Sequence, residues 1–134
     1  MNDMSKPIRM IKVSARDGKK ASVEALIDTG AFYTIIRQDC VPAGAKVNPY
    51  KTGELLGTAG KRGHVRAVAE TVLVMVVEGH PIRDEVLISP DLKREFILGA
   101  KTMQAWDISV KNKNGHTTVH VGRDMNDPDI QAVE

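Results

Sequence analysis

Leu26-Ile27-Asp28-Thr29-Gly30-Ala31 sets a carboxylate and a glycine directly behind an apolar run, and a second apolar run, Tyr33 to Ile36, follows at once. Gly30 permits backbone geometry closed to other residues, so the segment reads as strand, sharp loop, strand. Upstream, Ile8 to Ser14 and Lys20 to Ile27 are strand-like runs separated by a stretch containing Asp17-Gly18, a tight-turn pair, and together form a β-hairpin. Asp28 is therefore delivered at the end of a strand. An Asp before Thr-Gly is also a common turn residue whose side chain caps local amides, so the aspartate alone does not decide what the chain does.

Downstream, Pro42 to Thr52 is turn-rich, and Glu54 to Val65 spaces Gly57, Gly60 and Gly63 between two extended segments, the pattern of a long hairpin. Val65 to Val77 is rich in valine, Gly79-His80-Pro81 breaks it, and Ile82 to Ile88 supplies another strand. Phe96-Ile97-Leu98 is a short strand with a buried character. Gly99 to Trp106 follows as the one expected helix, with Met103 and Trp106 spaced to share a face. Asp107 to Lys111 and His116 to Val121 flank Asn114-Gly115, the preferred pair for a two-residue hairpin turn. The expected fold is all-β with one short helix. Residues 1–121 form one domain, and 122–134, with one arginine against Asp124, Asp127, Asp129 and Glu134, read as a flexible acidic tail.

Composition narrows the function. The chain has 134 residues, enough for one real core, and only 4% aromatic residues against 42% hydrophobic, so aliphatic packing must dominate. A formal charge of +2, with basic residues spread along the chain, makes nucleic acid a poor partner. Cys40 is the one cysteine, which excludes an intrachain disulfide, and Met1 to Lys6 lacks the apolar stretch of a secretory signal; a reducing cytoplasm fits best. No apolar run approaches the ~20 residues that span a bilayer, so no membrane partner is expected.

Asp28-Thr29-Gly30-Ala31, the glycine-rich hairpin about 30 residues later, and Ile97-Leu98-Gly99 before a short helix together resemble the retropepsin family of single-domain aspartic proteases. The resemblance covers roughly Ile8 to Val110. It implies a retropepsin-like β-barrel with one lobe per chain, acting as a homodimer on a polypeptide substrate, with no metal and no other cofactor. Asp28 would be catalytic, Thr29 would brace the two loops across the dimer axis, and Gly30 would leave room beside the carboxylates. Ala31, Phe32, Gly57, Thr58, Ala59 and Gly60 would line the substrate site, the last four within a flap formed by the hairpin around Gly57 to Gly63. Ile97, Leu98 and Gly99 would pack beneath the loop. In the retroviral pattern an acidic residue follows Asp-Thr-Gly-Ala and is braced by an arginine after the Ile-Leu-Gly element. Phe32 and Ala100 stand at those positions, so substrate grip must be built differently and the pocket wall is more apolar.

Other readings weigh less. Gly57-Thr58-Ala59-Gly60-Lys61-Arg62 fails as a phosphate loop, because Leu55 stands where a glycine is required and Arg62 where Ser or Thr is required. His116 and His120 share a strand face without a cysteine cluster to complete a metal site. A non-catalytic peptide-binding or dimerisation module of the same fold, or a latent form blocked by a terminal segment, remains the alternative to an endopeptidase.

Overall fold

The computed structural model describes residues 7–16, 18–57 and 64–128, with 53–57 and 64 as backbone only. The alternating and valine-rich runs become nine strands: β1 (Ile8–Ser14), β2 (Ala21–Ile27), β3 (Ile35–Arg37), β4 (Asn48–Gly57), β5 (His64–Val77), β6 (His80–Ser89), β7 (Phe96–Leu98), β8 (Ile108–Lys113) and β9 (His116–Val121). One α-helix, α1 (Ala100–Ala105), and a 3-10 turn at Gln38–Cys40 complete the described elements.

Hydrogen-bonded neighbours run β1-β2-β7-β3-β6-β5, and β5 pairs back onto β1 through Lys12↔Val76 to Ser14↔Val74. The six strands therefore close into a barrel, which removes both sheet edges, and β4 attaches outside the ring to β5. The interior is aliphatic, as the low aromatic content requires: Val13, Ile36, Leu73, Met75, Ile82 and Leu98 are essentially sealed, with Phe96 the large ring among them. The β8–β9 ribbon is a separate sheet whose Ile108, Val119 and Val121 pack on that same core.

Three boundaries differ from the sequence-based expectation for physical reasons. Glu78 and Gly79 both take positive φ, 49° and 81°, forming a two-residue hairpin turn, so β6 resumes at His80 instead of after Pro81. β4 begins at Asn48, inside the stretch expected to be turn-rich, because Asn48 and Pro49 pair with Glu70 and Ala69 before a register shift. The expected tail from Gly122 is, over its described part, tied to the body. The amides of Gly122, Arg123 and Met125 donate to the carbonyls of Asp107, Trp106 and Pro81 at 2.9, 3.1 and 2.8 Å. Asn114 and Gly115 adopt the positive φ expected of their turn. No helix among the described residues is long and apolar enough to cross a membrane.

Candidate active site

Asp28 leaves β2 and turns at once. Its amide donates to the Leu98 carbonyl at 3.0 Å, the Ala31 amide closes the turn onto the Asp28 carbonyl at 3.2 Å, and the Gly30 amide donates to Asp28 Oδ1 at 2.9 Å. The carboxylate is thus oriented by the backbone of its own loop, as the turn-cap reading also requires, and a half-buried side chain keeps access to solvent.

Beneath the loop lies β7, parallel to β2 through Ile27↔Leu98 and antiparallel to β3 through Ile35↔Ile97. The chain then enters α1, whose first amides have no helical partner. Those of Ala100 and Lys101 donate instead to the Ala31 and Phe32 carbonyls at 2.7 and 2.9 Å. The loop bearing Asp28 and the start of the helix therefore satisfy each other's backbone. Gly99 makes that approach possible: a Cβ there would run into the Tyr33 carbonyl and lie 2.6 Å from the Phe32 oxygen.

Two threonines lock this junction. Thr34 Oγ1 accepts the Gly99 amide at 3.0 Å and shares a 2.6 Å hydrogen bond with Thr102 Oγ1, while the Thr34 carbonyl accepts the Leu87 amide at 2.9 Å. Both side chains are buried. Neither was singled out from sequence, although a hydroxyl inside the apolar run Tyr33 to Ile36 was a visible signal.

The remaining expected site residues divide clearly. Thr29 and Gly30 are exposed at the surface of the single chain, and Ala31 is buried. Phe32 is 53% exposed and meets Tyr33, 40% exposed, edge to face at 5.0 Å between ring centres. Ile97, Leu98 and Gly99 are buried directly under the loop. Gly57 ends β4 opposite His64, whereas Thr58, Ala59 and Gly60 lie outside the described residues, as does Gly63. No group of three or more His, Cys, Asp or Glu placed to hold a metal occurs among the described residues. Cys40 sits beside Asp39, and burial followed by that carboxylate pushes its thiol up, away from nucleophilic chemistry.

A family model described as retroviral aspartyl protease matches residues 3–111. Among solved structures, the chain is similar to the EIAV protease complexed with the inhibitor HBY-793, with a TM-score of 0.55 and 17% identity over 78% of this chain and 91% of that one. It is also similar to the retroviral protease-like domain of Ddi1 from Leishmania major, with a TM-score of 0.55 and 14% identity over 84% and 87%. No characterised protein matches by sequence search. At these identities the structural likeness establishes the retropepsin-like fold.

Proposed function

The chain belongs to the retroviral aspartyl protease family, and from that premise we propose that it is an aspartic endopeptidase that acts on extended polypeptides as a two-fold homodimer. The observation that carries the reading is a single Asp-Thr-Gly turn per chain, pinned at both ends yet exposed at its tip. One carboxylate is half of a site, and a two-fold axis through the tips of two such turns supplies the other half.

Two Asp28 carboxyls facing each other cannot both ionise comfortably, so the pair holds one proton between them. The ionised member takes a proton from a bound water as the water oxygen bonds to the scissile carbonyl carbon. The protonated member donates to the carbonyl oxygen as it gains charge. Collapse of the tetrahedral species, with a proton passed to the amide nitrogen, breaks the C–N bond. The Gly30 amide on Asp28 Oδ1 holds the reacting carboxylate in place through these steps. Phe32, at the position of the retroviral acidic residue, gives the substrate an apolar neighbour.

Incubation of the protein with a diverse peptide library between pH 3 and 7, beside an Asp28→Asn control, tests the reading. Cleavage present in the unchanged protein and lost in the control is expected, with the dimer retained. Equal cleavage by both proteins would rule out the dyad. The specific observation that favours a non-catalytic peptide-binding module is the pair Phe32 and Ala100 where the acidic-arginine brace is expected. A dimer that binds extended peptides and never cleaves them is the outcome that selects it.

A further inference from the structure

Phe32 and Tyr33 are the exposed aromatic residues among those described, and they stand together, edge to face at 5.0 Å with ring planes at 83°. The chain has two phenylalanines and two tyrosines; Phe96 is sealed in the barrel and Tyr50 is half-buried against the smaller apolar cluster, so one of each is left at the surface. A single exposed apolar residue is ordinary. Two rings in contact, four and five positions after Asp28, form a surface on which an apolar partner gains burial beside the proposed dyad.

The backbone beneath the rings is fixed. The Phe32 carbonyl accepts the Lys101 amide at 2.9 Å, the Tyr33 carbonyl lies against Gly99 where no side chain fits, and the next residue, Thr34, is buried with its hydroxyl on that of Thr102. Ala31 and Ile35, to either side in sequence, belong to an apolar cluster with Leu87 and Ile97, on which Tyr50 packs. The rings therefore stand on a rigid rim next to apolar ground, and a partner that meets them has little backbone to order.

Chain geometry bounds their distance from the cut bond. Four residues span at most ~14 Å when fully extended, and the Ala31 amide folds this stretch back onto the Asp28 carbonyl at 3.2 Å, so Phe32 is nearer than that. An extended substrate rises ~3.3 Å per residue, which sets the rings opposite a side chain no more than about four residues from the bond, beyond the two residues that flank it over the Asp28 pair. A two-fold dimer presents the rings twice, once on each side of the bond.

We propose that Phe32 and Tyr33 are specificity-determining residues that select an aromatic side chain of the polypeptide within about four residues of the cut bond, at matching distances on its two sides. Phe32 carries no charge and Ala100 cannot brace one, so ring burial takes the place of an acidic grip at this position. A third ring can meet the exposed faces and edges of the first two offset or edge to face, the arrangements aromatic rings prefer, which an aliphatic side chain cannot match. This selectivity presupposes the endopeptidase reading and adds to it which polypeptides are cut.

The test follows cleavage of the peptide library by the full chain, with cut positions read by mass spectrometry. Phenylalanine, tyrosine and tryptophan should be enriched at one position on each side of the bond, and changing such a ring to alanine in a well-cut peptide should raise KM about tenfold with kcat nearly unchanged. In Phe32→Ala and in Tyr33→Ala the same peptide change should cost no more than about twofold, whereas Tyr33→Phe keeps the preference. A general loss of stability would slow cleavage of both peptides alike and leave their ratio standing. Cleavage by the unchanged protein without aromatic preference, or a preference untouched by both alanine variants, would overturn the selectivity and leave the endopeptidase intact. Loss of the dimer in Phe32→Ala, seen by analytical ultracentrifugation, would overturn it by reassigning the rings to subunit contact. No cleavage by the unchanged protein would overturn the endopeptidase reading and this selectivity with it.

Discussion

The junction beneath Asp28 and the segment Gly122 to Asp127 are both tied to the barrel by backbone hydrogen bonds between residues distant in sequence, but their surroundings differ. At the junction the bonds are backed by the buried Thr34 and Thr102 and by a glycine with no room for a side chain. In the C-terminal segment they are backed by a partly exposed pair, His80 Nδ1 and Asp124 Oδ2 at 2.6 Å, with Asp124 Oδ1 accepting the Asn126 amide. The first region is fixed by shape and by buried neutral groups. The second adds a partly exposed ionisable pair to its backbone bonds, so acid weakens it.

Gly99→Ala should break the junction most severely. The added carbon meets backbone that cannot move without disturbing the Asp28 loop, so a loss of about 3 kcal/mol or more is expected in denaturant unfolding. Thr102→Val is milder, because it keeps the shape and removes one partner of a buried hydroxyl; about 1–3 kcal/mol is expected, with Thr102→Ser recovering part of it. Near-wild-type stability in either variant would show that the junction is looser than its geometry indicates.

Asp124→Asn addresses the other side of the comparison. The hydrogen bond from His80, then that from the Asn126 amide, holds the Asp124 carboxyl below its ordinary value of 3.8. A carboxyl lowered by folding contributes stability above that value and loses it as pH falls through its lowered folded value. The variant should therefore melt slightly below the parent at pH 7, with the gap closing toward pH 3. A gap independent of pH would place the effect in packing. The smallest effect is expected from Glu85→Gln. Its hydrogen bond with Glu70, then burial, raises the Glu85 carboxyl, so the folded state gains stability at low pH and loses it as pH rises through the raised value. The substitution should raise the melting temperature slightly at pH 7 and not at pH 4.

The same contrast explains what was legible in the sequence. β1 matches its expected bounds because an alternating run ended by a turn carries its own signal, and Asn114-Gly115 marks its hairpin because only a few residues tolerate two positive φ angles. The Asp28 loop and Ile97-Leu98-Gly99 were visible as motifs. Their interlock through the Ala100 and Lys101 amides was not, since a backbone bond between distant positions leaves no residue preference behind. Barrel closure by β1 and β5 is hidden for the same reason. The bonds that tie Gly122, Arg123 and Met125 to the body were not legible, because polar residues and Pro128 lack periodicity whether or not the backbone finds partners.

Thr34 and Thr102 lie 68 positions apart, which gives the junction a history as well as a shape. At a synthesis rate of ~5–20 residues per second, about 3 to 14 s separate their appearance on the ribosome. Through that interval the nascent chain already carries Asp28 but lacks the strand, glycine and helix that hold it. The Asp28 turn is thus assembled late, after most of the barrel has been made, and an unfinished chain carries the acid without its scaffold.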